Sequence, residues 1–290
     1  MTELHLACAA EGEAYAAHSA AMLHSVLENA SGLDVRVHYL HSPRFRAEWR
    51  DKLATVAPRI EFHEIDDERV AALPSQALFT QAMWYRIFLP ELLPAEPRAL
   101  YLDVDTLAVD SLVPLWETEV GDDWLGAVTN VLQHNHRHRP GELGLPGPEV
   151  YFNSGVLLFN LDAWRRDGCT QRLYDFAVDN AATIDWPDQD ALNVVLGERR
   201  TRLHPRWNTM NSIVQWESAK EVLPPEQVEE ARRNPGIRHF EGPAQNKPWH
   251  YGSSREAQAL YARHRRATPW PEVRLEGRTP RAVVKRLLSA

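Results

Sequence analysis

Asp103 and Asp105 stand one residue apart, directly after an apolar run over residues 99–102. On an extended backbone alternate side chains share a face, so two carboxylates at this spacing can converge on one hard divalent cation. The triplet alone is common and also suits a solvated turn. The buried run before it is what places the pair at the carboxyl end of a strand, where open α/β sheets bind ligands. Far downstream the chain reads His239-Phe240-Glu241-Gly242 and then Lys247-Pro248-Trp249-His250. An imidazole is a nitrogen ligand suited to Mn²⁺ or another borderline metal, a glycine lets backbone approach an anion, and a lysine supplies a point charge for phosphate. Together they would suit a diphosphate. Taken singly, His239 reads equally as a partly buried polar residue and Lys247 as a surface charge.

The elements that must position these groups alternate between strand and helix. Strand character covers residues 4–9, 35–40, 60–65 and 99–104, with helical patterning over 15–29, 44–56 and 81–92, the last stopped by Pro94. That alternation is the signature of βαβ units around a largely parallel sheet, an α/β fold. Residues 125–129 and 152–159 extend the sheet. Between them a polar stretch, 133–148, is long enough to read as a lid or binding loop. Its histidines, His134, His136 and His138, lie beside Arg137 and Arg139 and read as loop residues rather than ligands. Helices follow over 171–180 and 189–196, then an irregular segment to Trp216. Trp164, Trp207, Trp216, Trp249 and Trp270 read mainly as packing aromatics. Asp188 is placed to cap the helix that starts near Gln189.

At 290 residues, with 44% hydrophobic and 25% charged side chains, the composition is that of a globular protein and excludes collagenous, disordered and coiled-coil classes. The net charge of −8 opposes binding driven by phosphate neutralisation, so nucleic acid is not an expected partner. The two cysteines, Cys8 and Cys169, are too few for a disulfide framework and read as packing residues. No signal peptide or spanning segment is expected, which points to a cytoplasmic protein. Beyond residue 269 the chain turns basic, with Arg274, Arg278, Arg281, Lys285 and Arg286 against Glu272 and Glu276. Such a tail offers a peripheral contact for an acidic membrane surface.

Seven blocks, spread from residue 4 to about 270, carry a wider resemblance. They are Ala7-Cys8-Ala9-Ala10 with Tyr15, residues 84–90 (WYRIFLP), Tyr101-Leu102-Asp103-Val104-Asp105, residues 152–161 (FNSGVLLFNL), residues 187–193 (PDQDALN), Pro205-Arg206-Trp207-Asn208, and the His239 to Trp249 segment. In this order they resemble family 8 of the glycosyltransferases, retaining enzymes of the GT-A fold that use a nucleotide-activated sugar and a divalent metal. The resemblance implies a GT-A catalytic domain over residues 1–270 and a basic extension over 271–290. It implies a Mn²⁺ or Mg²⁺ ion held by Asp103, Asp105 and His239. Ala9, Ala10, Glu11 and Tyr15 would meet the nucleobase of a UDP-sugar, and the backbone at Leu102 and Val104 the ribose. Gly242 and Lys247 would hold the diphosphate, while Arg86, Asp103, Asn153, Ser154, Asp188 and Gln189 would surround the sugar. Gln189 is a poor nucleophile, which favours same-face transfer, with Asp188 and Asp190 keeping double displacement open. Galactose or glucose is the expected sugar, and the acceptor is a glycan, a lipid-linked sugar or a small molecule. Two departures touch donor binding. Gly12 stands where the family carries an acidic residue, and the segment from Gly242 to Lys247 is longer than usual. A sugar-nucleotide hydrolase and a non-catalytic binding protein on the same fold are therefore the alternatives.

Overall fold

The computed structural model describes residues 2–75, 80–281 and 283. A seven-stranded sheet runs in the order β3-β2-β1-β4-β7-β6-β8. Its strands are β1 (Thr2–Ala9), β2 (Leu33–His41), β3 (Ile60–Glu64), β4 (Arg98–Leu102), β6 (Leu125–Thr129), β7 (Phe152–Asn160) and β8 (Arg200–Arg202). β7 alone is antiparallel to its neighbours, β4 and β6. The other pairs are parallel. A small second sheet joins β5 (Thr106–Ala108), β10 (Ile237–His239) and β9 (Thr209–Met210).

Both faces of the large sheet are covered, and the strand period of two sorts the apolar side chains between them. Leu4, Leu6, Cys8, Leu100, Leu102, Val156 and Leu158 face one core. Ala7, Ala99, Tyr101, Leu157 and Phe159 face the other. Both cysteines are buried and unpaired, as packing residues. Among the described residues six helices of nine residues or more accompany the sheet: α1 (Gly12–Glu28), α2 (Ala47–Val56), α3 (Cys169–Asp179), α4 (Pro187–Leu196), α5 (Pro225–Arg233) and α6 (Arg255–Arg266). The buried alanines of α1, Ala16, Ala17, Ala20 and Ala21, allow a close approach to its neighbours. The expected helix over 81–92 is a 3₁₀ run, Gln81–Phe88, that relaxes into one α-turn, Leu89–Leu92.

One feature departs from the sequence expectations. β4 stops at Leu102, and residues 103–106 form a turn rather than the last rungs of a strand. Around residue 270 and beyond, the described chain packs back on the rest of the protein. Trp270 is buried in the main core, and Glu276 exchanges backbone bonds with Trp249 and Tyr251 at 2.9 and 2.8 Å. Of the basic tail, Lys285 and Arg286 lie outside the described residues. Among those described, no helix is long and apolar enough to cross a membrane.

Candidate active site

The acidic pair converges through a turn, not through strand alternation. Asp103 N donates to the Gly155 carbonyl at 2.8 Å, one rung past β4. The Asp103 carbonyl then accepts from Thr106 N at 3.1 Å and from Thr106 Oγ1 at 2.7 Å, which closes the reversal. The chain leaves the large sheet and re-enters the small one, where Thr106 pairs with His239. Asp105 and His239 thus become neighbours, with His239 Nε2 3.3 Å from Asp105 Oδ1. Donor atoms of Asp103, Asp105 and His239 all lie within 4.8 Å of one another.

His239 is aimed from behind. Its Nδ1 faces Asn208 Oδ1 at 2.8 Å, and Asn208 Nδ2 donates to Asn153 Oδ1 at 2.8 Å. An amide oxygen on Nδ1 fixes the proton there and leaves Nε2 free toward the carboxylates, the way metal-binding histidines are oriented. Space in front is kept by Gly155. A Cβ at that position would lie 2.3 Å from His239 Cε1 and 2.9 Å from Asp103 Oδ2. Two carboxylates, an imidazole and a cleared space fit a divalent cation such as Mn²⁺ or Mg²⁺. Lys247 Nζ donates to Asp105, and with His239 it holds that carboxylate well below the usual range despite burial. His239 itself is lifted, because Asp105 outweighs the cost of burial.

Beside this cluster, Arg86 is buried and fully engaged. Its guanidinium donates to Asp103 Oδ1 at 2.9 Å, to the Ser154 carbonyl at 2.5 Å and to the Met83 carbonyl at 3.0 Å, with Asp188 Oδ2 at 3.4 Å. Asp188 Oδ2 is buried yet has no hydrogen bond of good geometry. Burial pushes this carboxyl up to about 6, with Arg86 opposing and Asp103 adding to the rise. A buried acceptor with spare capacity beside an arginine is suited to hydroxyl groups on a ligand.

Gln189 is held at both ends. Its carbonyl oxygen accepts from Asn153 Nδ2 and Ser154 N, each at 3.1 Å, and its Nε2 donates to the Tyr151 hydroxyl at 3.1 Å. Because Ser154 N–H can only donate, the atom facing it must be the oxygen, which fixes the amide orientation. Tyr151 donates in turn to Asp190 Oδ1 at 2.6 Å. Asp190 Oδ2 takes Arg139 at 2.6 Å and the backbone N–H groups of Asp185 and Trp186 at 3.0 Å each. The N-cap of α4 is Trp186, with no side-chain cap bond, so the capping expected of Asp188 is not made; Asp190 instead accepts from the backbone of the two residues before the helix, and Asp188 lies beside Arg86.

The remaining expected residues line the same end of the sheet. Ala9 closes β1, and Ala10 N bonds to the Leu40 carbonyl at 3.3 Å. Leu102 and Val104 are buried on either side of Asp103. Glu11 is taken by the Tyr85 hydroxyl at 2.7 Å. Tyr15 is exposed on the first turn of α1, edge-on to His18, which stacks on Trp249 at 3.6 Å. Gly242 has φ +90°, where a side chain would be strained and would meet Asn246. The long segment after it folds into a 3₁₀ turn, Ala244–Asn246, that delivers Lys247 to Asp105. Asn208, Tyr151, Arg139, Tyr85 and Gly155 were not singled out from the sequence as site residues. The blocks at 84–90, 152–161 and 205–208 held the signal for Tyr85, Gly155 and Asn208; nothing local marks Tyr151 and Arg139.

The sequence model of glycosyl transferase family 8 matches residues 6–253. General stress protein A of Bacillus subtilis (strain 168) is 28% identical over 276 residues, covering 92% of this chain and 94% of that protein. Lipopolysaccharide glucosyltransferase WaaO of Escherichia coli (strain K12) is 27% identical over 75% of this chain, which spans 63% of WaaO. Among solved structures, the galactosyltransferase LgtC, in complex with donor and acceptor sugar analogues, superposes with a TM-score of 0.82 at 26% identity. That match covers 92% of this chain and 96% of the other.

Proposed function

This chain belongs to glycosyl transferase family 8 and is a glycosyltransferase of GT-A fold, and on that premise we propose that it transfers galactose or glucose from a UDP-sugar, with retention, to a glycan or lipid-linked acceptor. The observation that carries the reading is the convergence of Asp103, Asp105 and His239 on a space cleared by Gly155, with Lys247 and Arg86 beside it. These three side chains would hold Mn²⁺ or Mg²⁺, which supplies charge stabilisation to a diphosphate leaving group.

The chain's own groups do the rest. Breaking the anomeric C–O bond builds negative charge on the diphosphate, and Lys247, already within reach of that corner, donates to it. Asp188 accepts from sugar hydroxyls, with Arg86 holding it and Asp103 in place. Asn153 and Ser154 fix the Gln189 carbonyl, which steadies the positive ring while the acceptor hydroxyl attacks from the face the leaving group vacates. Asp190, its oxygens occupied by Arg139, Tyr151 and backbone N–H groups, acts as a support rather than a nucleophile. Glu11 and Tyr15 would frame the base. The lipopolysaccharide relatives support a glycan or lipid-linked acceptor, which a peripheral membrane contact through the basic tail would serve.

The test is UDP release from UDP-galactose and UDP-glucose with Mn²⁺, measured with and without a panel of oligosaccharide acceptors, and the anomeric configuration of the product by NMR. Acceptor-stimulated release that EDTA, Asp103→Ala and Asp105→Ala each abolish is the expected result, with an α-linked product. Release that acceptors do not stimulate would make the protein a hydrolase. Donor binding without release would make it a binding protein.

A further inference from the structure

The outer strands of the large sheet carry histidines that the transfer reaction does not use. His5 of β1, His38 of β2 and His63 of β3 share the face that carries Ala7, Leu40 and Ile65. His5 and His38 are buried and their rings stack at 5.4 Å.

Their contacts run in one direction. His5 Nε2 lies 2.9 Å from the Glu96 carboxylate and so donates its proton there. His5 Nδ1 must then accept from His38 Nε2, 3.1 Å away. That leaves His38 Nδ1 with a lone pair, facing His63 Nε2 at 3.0 Å and the Glu61 carboxylate at 3.8 Å. A ring nitrogen backed by a carboxylate through its far side is how metal-ligating histidines are oriented. The donor atoms of His38, Glu61 and His63 lie within 4.8 Å of one another. Around a tetrahedral Zn²⁺, ligand atoms about 2.0–2.1 Å from the metal sit about 3.3 Å apart. To reach that spacing the two nitrogens part by about 0.3 Å, and the exposed Glu61 closes by about 0.5 Å on His38 and by up to about 1.5 Å on His63.

The surroundings agree. Glu3, Asp34, Glu61 and Glu96 outnumber Arg36 and Arg59, the guanidinium groups that bind among them. Burial and the neighbouring imidazoles also hold His38 down to about 3, and burial lowers His63, so both stay in the neutral form that ligates.

We propose that His38, His63 and Glu61 bind one Zn²⁺ ion, with His5 and Glu96 as the backing pair, and that this ion ties the edge strand β3 to β2. The site shares no residue with the one at Asp103, Asp105 and His239.

Equilibrium dialysis against Zn²⁺ tests it, on the full chain carrying Asp103→Ala and Asp105→Ala so that the other site is silent. One equivalent retained at micromolar free Zn²⁺, lost on adding His63→Gln and weakened at least tenfold by Glu61→Gln, is expected. His63→Gln in the otherwise intact chain should also lose the part of the Zn²⁺-dependent rise in Tm that the Asp103→Ala, Asp105→Ala chain retains, while its Mn²⁺-dependent UDP release is unchanged. Zn²⁺ retention only at millimolar concentration, or retention undiminished by His63→Gln and Glu61→Gln, overturns the proposal.

Discussion

At the scale of single residues, the site holds charges that folding alone would not choose. Asp188 titrates near 6 in the folded chain against 3.8 when unfolded. Between those values the folded chain keeps a proton that the unfolded chain has released, so stability falls as pH rises through that window, by about 1.4 kcal/mol per unit. Asp188→Asn is therefore expected to stabilise the metal-free protein by on the order of 1–3 kcal/mol at pH 8 and by little at pH 4. Urea unfolding at the two pH values measures this, and the same variant should raise the donor KM. Tyr151 makes a contrasting case. Its hydroxyl joins Gln189 to Asp190, so Tyr151→Phe should lower kcat about 10-fold or more, as losses of supporting groups do, while the donor KM moves less than about twofold. A fall in KM and kcat together would count against the supporting role.

At the scale of elements, what was legible in the sequence followed from the two-sided core. The run 99–102 alternates between two buried faces, so its strand character and the position of Asp103 at its end could be read directly. The turn that makes the acidic pair converge could not, because it is closed by Thr106 and by pairing with a strand far along the chain. The surroundings of Asp190 could not be read for a similar reason. Its spacing from Trp186 is visible, but its partners Arg139 and Tyr151 meet it only in the tertiary fold. The histidines of β1, β2 and β3 carried no period or motif at all. The long segment between Gly242 and Lys247 gives a test at this scale. Deleting Ala244 and Gln245 removes the 3₁₀ turn that returns Lys247 to Asp105. The expected outcome is a donor KM raised about tenfold or more, in line with the loss of a charge-assisted contact of 1.5–3 kcal/mol. The loop is exposed and Tm should barely change; titration of UDP-sugar turnover and a thermal melt check both.

At the scale of the whole molecule, the segment after residue 270 packs against the stretch from Trp249 to Tyr251, which follows Lys247. Glu276 is bonded to Trp249 and Tyr251, and Gly277 lies so close to His250 that a Cβ there would sit 2.0 Å from its Nε2. Trp249 in turn stacks on His18, which Tyr261 of α6 bonds at 2.7 Å. Truncation after residue 270 should therefore weaken donor binding more than it weakens the fold. Calorimetric binding of UDP with Mn²⁺, set beside the melting curve, separates the two. The pairing of Thr106 with His239 carries a further consequence. The acidic pair at 103 and 105 meets His239 and Lys247, which lie beyond the last strand of the large sheet, Arg200–Arg202, so synthesis completes the strands of that sheet before it supplies the partners of Asp105.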